Sequence, residues 1–455
     1  MDKNWLKHYP AGVPKEIDPG QFESLVTMLD DAFKRFRDRP AFKFMGMELR
    51  YAELDAQSRQ IAAWLQSQGL VAGDRVAIMM PNVPQYAIAL VGILRAGCIA
   101  VNVNPLYTPR ELEHQLKDSG SKAIFILENF AHTLQSCLSA VPTQKVVVTA
   151  MGDLLGFPKR PIVNCVVRHV KKLVPPFELP GMHRFNDALA AGAKAKLRAV
   201  ALKGEDIAVL QYTGGTTGVS KGAVLLHRNL VANTLQSAAW NLPAVNKIPA
   251  GEQPHTVGAL PLYHIFAFTT ILMLSLHIGG CVILIPNPRD LPSTFKELSK
   301  HRFHSFPAVN TLFNAMAHHP VFETVNWSHL VLSVGGGMAV QRATAKLWLE
   351  KTGCPIVEGY GLSETSPSVS CNPTDSTAFT GTIGLPLPST DIAILDDDGR
   401  PLPVGSVGEI GIRGPQVMAG YWNRPDETAR AMTLDGYFRS GDIGVMDAQG
   451  YVKVV

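Results

Sequence analysis

No two cysteines in this 455-residue chain stand in a Cys-x-x-Cys spacing; the six present, Cys98, Cys137, Cys165, Cys281, Cys354 and Cys371, are scattered singly. That excludes a zinc ribbon or a disulfide-framed secreted domain and fits a reducing cytoplasm. An excess of one charge is lacking too. The 42 basic and 38 acidic side chains leave a net +4, which excludes nucleic-acid binding by bulk charge as a main role. From Met1 to Ser24 there are charges and prolines but no apolar run of signal-peptide length. Internal repeats and low-complexity tracts are absent. One region invites a transmembrane reading: Val257–Pro286 has no Asp, Glu, Lys or Arg, but Pro261, His264, His277 and Gly279-Gly280 interrupt it. A buried strand, a helix and a second strand account for it better than a membrane span.

What is present is enough apolar residue, 46%, for a large core and about three domain-sized units. Short β-branched runs (Arg75–Met80, Ala123–Leu127, Lys145–Val148, Ile207–Gln211, Gly280–Ile285, Leu330–Val334) alternate with amphipathic segments of helical length. The latter are Val83–Arg95, Pro109–Ser119, Phe130–Ala140, Arg228–Trp240, Ser293–Lys300 and Val340–Lys351, with Thr108 as an N-cap before Pro109. Such alternation predicts α/β layers with mainly parallel sheets. After about Asn372 turn signals recur every few residues between short apolar segments such as Ile392–Leu395 and Val407–Ile412. A small antiparallel, barrel-like β unit is expected there. The expected division is 1–200 and 201–375 as two α/β subdomains and 376–455 as the β unit.

The most telling stretch is Tyr212-Thr213-Gly214-Gly215-Thr216-Thr217-Gly218-Val219-Ser220-Lys221-Gly222. Glycines let a backbone wrap an anion, hydroxyls add donors, and a lysine supplies positive charge, so the stretch reads as a phosphate cradle. It is not the usual triphosphatase loop, which needs Gly-Lys adjacent and then Ser or Thr. Three further stretches are weaker alone. In Glu358-Gly359-Tyr360-Gly361-Leu362-Ser363-Glu364, a strand running into a glycine turn would present Tyr360 as a flat surface and Glu364 as a carboxylate for a hard cation; an ordinary turn is the alternative. His264, in Pro261–Phe268, is either a satisfied core histidine or a site residue. Asp442, after Tyr437-Phe438-Arg439-Ser440-Gly441, is either a turn former or an acceptor for sugar hydroxyls.

In this order and spacing the four stretches resemble the adenylate-forming superfamily of acyl- and aryl-CoA ligases, luciferases and peptide-synthetase adenylation domains. Leu94–Gly97, Val101–Leu112, Asn310–Asn314, Val417–Trp422 and the opening Trp5–Pro10 narrow the resemblance to bacterial long-chain fatty acid–CoA ligases. It covers essentially the whole chain. The resemblance implies ATP, Mg²⁺ and coenzyme A as cofactor and co-substrates, and a fatty acid activated first to an acyl-adenylate and then to the thioester. By position, Thr213 to Lys221 would wrap the β- and γ-phosphates, Lys221 as a catalytic cation, with Tyr212 and Gly222 closing the loop. Thr213 and Glu364 would hold Mg²⁺. Tyr360 within Glu358–Gly361 would flank the adenine and Gly335-Gly336-Gly337 would form another wall, although that triplet could equally be a plain turn. Asp442 would accept from the ribose. His264 would sit beside the reacting carboxylate, as position holder or as gate to the acyl tunnel.

Two departures are mild: Ser363 stands where threonine is commoner and Ser220 where many relatives have proline. A larger one is the ending on a strand-like Tyr451–Val455, where relatives continue into a hinge and a mobile domain bearing the adenylation lysine; the expectation is that this portion has been cut off. Ile162, Val163, Val166, Val167, Val170, Leu173 and Val174 recur at helical spacing among Lys159, Arg160, Arg168, Lys171 and Lys172. The pattern suits either a solvated helix or a peripheral membrane contact through 159–174, on the inner face of the cell membrane of a cytoplasmic enzyme. Relatives often pair as homodimers. The competing readings are a ligase of the same superfamily for medium-chain or aryl acids, and a non-catalytic acyl or nucleotide carrier.

Overall fold

The computed structural model describes residues 3–213 and 220–455. The chain divides into two compact units, one of Glu23–His227 with Pro261–His264, the other of Met1–Phe22, Arg228–Leu260 and Ile265–Val455.

In the first unit seven strands lie in one sheet, in the order Lys221–Leu226, Ile207–Thr213, Ile99–Asn102, Arg75–Met79, Ala123–Leu127, Lys145–Thr149 and His183–Arg184. Neighbours are parallel except the first pair, an antiparallel hairpin. Arg75–Met79 is the turning point: the chain next lays Ile99–Asn102 on one side of it and then Ala123–Leu127 on the other. In doubly wound sheets ligands gather at the carboxyl ends beside such a switch. Every residue of Ala123–Leu127 is buried, as its unbroken apolar run requires when helices cover both faces. Helix Pro84–Arg95 is buried along its whole length. Helix Pro109–Ser119 begins as expected: the Thr108 hydroxyl accepts from Glu111 N at 3.4 Å, and the Glu111 carboxylate accepts from Thr108 N at 2.8 Å. This reciprocal cap satisfies two otherwise orphaned donors.

One expected helix is broken. Phe130–Ala140 resolves into a short helix, Ala131–Gln135, between two single 3₁₀ turns. Ser136 Oγ donates back to the His132 carbonyl at 2.9 Å, and the Cys137 thiol lies 3.5 Å from the Leu134 carbonyl. Side chains that compete for carbonyls in this way end a helix early.

The second unit carries its own mainly parallel sheet, in the order Leu385–Pro386, Ser368–Cys371, Ile356–Gly361, Leu332–Gly335, Ser305–Ala308, His255–Gly258 and Cys281–Leu284. The uncharged stretch is the expected strand, helical segment (Ile265–Ile278) and second strand, with His255–Gly258 and Cys281–Leu284 paired in parallel. Among the described residues no helix is long and apolar enough to cross a membrane. The core beneath this sheet is aromatic. The Phe306 ring stacks 5.6 Å from Trp348, which meets Phe313 edge-on at 4.8 Å, a preferred aromatic geometry. The expected antiparallel unit is a sheet of Asp391–Leu395, Val407–Arg413, Phe438–Met446 and Val452–Val454.

Candidate active site

In the first unit the hairpin of Ile207–Thr213 and Lys221–Leu226 carries the glycine-rich loop. Thr213 pairs with Lys221 and Tyr212 with Gly222. Ser220 Oγ donates to the Thr213 carbonyl at 2.6 Å, and the Ser220 carbonyl lies 3.3 Å from His114 Nε2. The Tyr212 ring is buried, and its hydroxyl donates to Asp118 at 2.7 Å. Both stems of the loop are therefore fixed by side chains, with Lys221 and Thr213 at its mouth. Gly214, Gly215, Thr216, Thr217 and Gly218, assigned above to phosphate binding, lie outside the described residues.

His264 ends a turn, Pro261–His264, that a buried polar network holds. Asn82 Oδ1 accepts from Leu262 N at 2.8 Å. The Tyr86 hydroxyl lies 2.7 Å from Asn102 Oδ1 and 2.9 Å from the Leu262 carbonyl. Asn102 Nδ2 donates to Gln211 at 3.0 Å, and Gln211 Nε2 donates to the Tyr263 carbonyl at 3.2 Å. Asn102 and Gln211 are paired residues at the carboxyl ends of adjacent parallel strands, where the switch-point rule places a ligand. None of these four side chains was singled out from sequence. The available signal was a polar amide ending each of two apolar strands, since a buried amide in such a place must have partners. The His264 side chain itself is exposed, yet the protein around its base disfavours the imidazolium and lowers its pKa.

In the second unit the stretch Glu358–Gly361 is not the expected turn. Ile356–Gly361 stays extended, parallel to Leu332–Gly335 through Glu358 and antiparallel to Ser368–Cys371 from Gly359 onward. The glycines serve close approach: a Cβ on Gly361 would lie 2.0 Å from the Pro367 carbonyl oxygen. The triplet Gly335-Gly336-Gly337 ends the neighbouring strand. A Cβ on Gly336 would press the Phe266 ring at 3.0 Å and the Gly359 carbonyl at 3.2 Å, and Gly337 has φ of +75°. Close approach and a turn thus coexist in three residues. Glu358 is buried and accepts from Val340 N at 2.8 Å, so it ties down the chain just after the triplet; burial raises its pKa.

Tyr360 and Asp442 meet across 82 residues, the hydroxyl donating to the carboxylate at 2.6 Å. Burial and then this carboxylate push the phenol pKa up, so Tyr360 remains a neutral donor and its ring is pinned. Glu364 is held twice: its carbonyl accepts from Met418 N at 2.7 Å and its Oε1 from the Tyr421 hydroxyl at 2.7 Å. Tyr421 is a fifth side chain whose contact was not singled out from sequence. Ser363 sits beside Glu364 in a single 3₁₀ turn, Ser363–Thr365. No group of three His, Cys, Asp or Glu able to hold a metal occurs among the described residues. A carboxylate such as that of Glu364 is a hard oxygen donor of the kind Mg²⁺ takes, typically one or two beside its waters and substrate phosphates.

A glycine-rich hairpin on a doubly wound sheet in one unit, and a tyrosine–aspartate pair with a braced carboxylate in the other, are features expected of a nucleotide-using enzyme. Residues 29–422 match the AMP-binding enzyme family, and the chain belongs to it. Over its whole length it is 50% identical to a long-chain-fatty-acid–CoA ligase of Escherichia coli O6:H1, covering 80% of that protein, and 36% identical over 99% of its length to one of Bacillus subtilis, again covering 80%. A solved anthranilate CoA ligase in complex with anthranoyl-AMP superposes with a TM-score of 0.82 at 21% identity, across 96% of this chain and 79% of that one; that likeness concerns the fold. A long-chain-fatty-acid-CoA ligase from Archaeoglobus fulgidus gives 0.80 at 25% identity, across 98% and 86%.

Proposed function

We propose that the chain is an ATP-dependent long-chain fatty acid–CoA ligase. The observation that carries this is the 50% identity, over the entire chain, with the long-chain ligase of Escherichia coli O6:H1. The enzyme converts fatty acid and ATP to acyl-adenylate and pyrophosphate, then passes the acyl group to the coenzyme A thiol and releases AMP. It serves fatty acid uptake and degradation in the cytoplasm, where both co-substrates are held.

The chemistry asks for placement and charge neutralisation more than for covalent help. A carboxylate is a weak nucleophile and must be held in line with the α-phosphate while charge builds on the departing pyrophosphate. In this reading the glycine-rich loop and Lys221 take the β- and γ-phosphates, anchored through Tyr212 and Ser220. Tyr360 flanks the adenine, and its bond to Asp442 orients the carboxylate that accepts from the ribose. The Gly335–Gly337 backbone supplies the close wall beside it. Thr213 and Glu364 hold Mg²⁺, which when bound neutralises phosphate charge. His264, neutral and backed by the Asn82–Tyr86–Asn102–Gln211 network, borders the fatty acid carboxylate.

Calorimetric titration with non-hydrolysable acyl-adenylate mimics tests the reading. Tightest binding of the palmitoyl compound is expected. Tighter binding of an octanoyl or coumaroyl mimic overturns the long-chain assignment while keeping the family, and absence of binding by all three overturns the site.

A further inference from the structure

Between Leu154 and Phe177 the chain has no Asp or Glu but has Lys159, Arg160, Arg168, Lys171 and Lys172. The segment folds as a helix, Lys159–Cys165, that widens into a π-helical turn, Val166–Val170. Its inner side is tied down. The buried Asn164 accepts from Gly152 N at 2.8 Å and donates to Asp153 at 3.1 Å. Asn129 Nδ2 donates to the Leu173 carbonyl at 3.1 Å. Arg168, expected from the sequence among the outward basic residues, instead forks onto the buried carboxylate of Glu128 at 2.9 and 2.7 Å. It belongs to the scaffold.

The outer side is bare of apolar cover. Phe157 is 91% exposed, Val170 71%, Ile162 58% and Leu173 53%. Four large apolar side chains out in water on one short segment are not the scattered single exposures of an ordinary surface. Lys159, Arg160, Lys171 and Lys172 are exposed beside them. Of these, Lys159 Nζ donates to the Gly46 carbonyl at 3.0 Å and Arg160 lies 3.8 Å from Asp153, so Lys171 and Lys172 carry most of the outward charge.

From this juxtaposition we propose that residues 157–173 form a docking surface for an anionic lipid bilayer. Phe157, Ile162, Val170 and Leu173 enter the headgroup–acyl boundary while Lys171 and Lys172 stay among the headgroups. Charge complementarity selects this occupant. Nucleic acid would satisfy the lysines and leave the apolar residues wet, whereas a membrane interface takes both at once. The proposal rests on the fatty-acid reading only for its purpose, because a long-chain substrate partitions into membranes. The surface itself is argued without it.

The test is partition of the full chain onto vesicles of phosphatidylcholine with and without phosphatidylglycerol, measured by co-sedimentation without substrate. Wild type should bind the anionic vesicles and lose most of that binding in high salt. Each cation removed from an anionic surface lowers partition about fivefold, so Lys171→Gln with Lys172→Asn should lower it by roughly 25-fold. Asparagine is chosen because residue 172 has φ of +51°. A second variant, Phe157→Ser with Val170→Ser, should weaken binding to the same vesicles at every salt concentration. Ligase activity on detergent-dispersed palmitate should be unchanged in both variants, which separates failure of this surface from failure of the enzyme reading. Equal binding to neutral and anionic vesicles, or wild-type binding by both variants, overturns the proposal. So does absence of vesicle binding by wild type, the outcome an acidic protein partner would give.

Discussion

Replacing Tyr421 with phenylalanine removes one hydroxyl and tests whether Glu364 acts as a metal-holding carboxylate. The bond removed runs from Tyr421 Oη to Glu364 Oε1 at 2.7 Å, and burial followed by the Glu364 charge raises the phenol pKa. The hydroxyl is therefore a protonated donor throughout the neutral range. Hydrogen bonds to charged groups contribute about 1.5–3 kcal/mol. Glu364 is only half-buried, so the lower end applies. Two effects oppose each other on its loss: the carboxylate oxygen is released from a competing donor, which favours a cation, and it becomes free to rotate. Orientation should win, because the Met418 N–H holds only the Glu364 backbone and the Tyr421 hydroxyl is the bond that fixes the carboxylate. At 1.36 kcal/mol per factor of ten, kcat/KM for ATP should fall about tenfold. The loss should be largest at low Mg²⁺ and partly recovered at high Mg²⁺. Palmitate-dependent pyrophosphate release, titrated with Mg²⁺ at fixed ATP, reads this directly, with Glu364→Gln as a more severe reference that added Mg²⁺ does not rescue. A Phe variant whose Mg²⁺ midpoint and kcat/KM stay within twofold of wild type refutes the argument. A uniform loss at every Mg²⁺ concentration would refute it too, since that is what a merely structural tyrosine would give.

Three further outcomes are expected. His227 is buried, its Nδ1 accepts from Leu25 N at 3.2 Å, and desolvation lowers its pKa to about 4. Its contribution to stability is therefore complete above its unfolded value near 6.5 and is lost as pH falls toward 4. Denaturant unfolding should show a loss of up to about 3 kcal/mol across that window, and His227→Asn should flatten the slope. Gly361→Ala drives a Cβ to 2.0 Å from the Pro367 carbonyl oxygen, an overpacking of about 1–3 kcal/mol that should lower the unfolding midpoint; an unchanged midpoint would mean the backbone yields freely there. Asn82→Ala leaves the buried Leu262 N–H without its 2.8 Å acceptor, a cost of about 1–3 kcal/mol. The KM for palmitate should rise severalfold while that for ATP moves less than twofold, and equal shifts in both would count against a placing role for the network.

Local chemistry was legible in the sequence, and long-range pairing was not. Thr108 and Pro109 announce their helix because cap and first turn are neighbours in the chain, and the Thr108 cap forms as read. Apolar runs such as Ala123–Leu127 become strands with the bounds that periodicity suggests. By contrast Tyr360 reaches Asp442 across 82 residues, Tyr421 reaches Glu364 across 57, and Tyr86 reaches the Leu262 carbonyl across 176. Each residue could be suspected or overlooked alone, but only the fold makes the pair. Arg168 shows the converse: helical spacing put it with the other cations of its segment, and a buried glutamate 40 residues away took it inward.

The misread glycines are more instructive, because the signal that would have corrected them was present. Glu358-Gly359-Tyr360-Gly361 reads as a turn if glycine is taken to mean freedom of φ, and Gly337 and Gly441 do use that freedom at +75° and +79°. Gly359 and Gly361 do not; they sit in extended strand. A strand sends alternate side chains to opposite faces, so this tetrapeptide has one face of Glu358 and Tyr360 and another of bare backbone. The bare face is where the Pro367 and Ser368 backbone closes on Gly361. The other face carries the two side chains whose partners, Val340 N and Asp442, fix them in place. Glycine at a spacing of two, with large polar residues between, is thus better read as a strand stripped on one side so that another chain segment can approach. A turn at the same place would have sent Glu358 and Tyr360 in different directions.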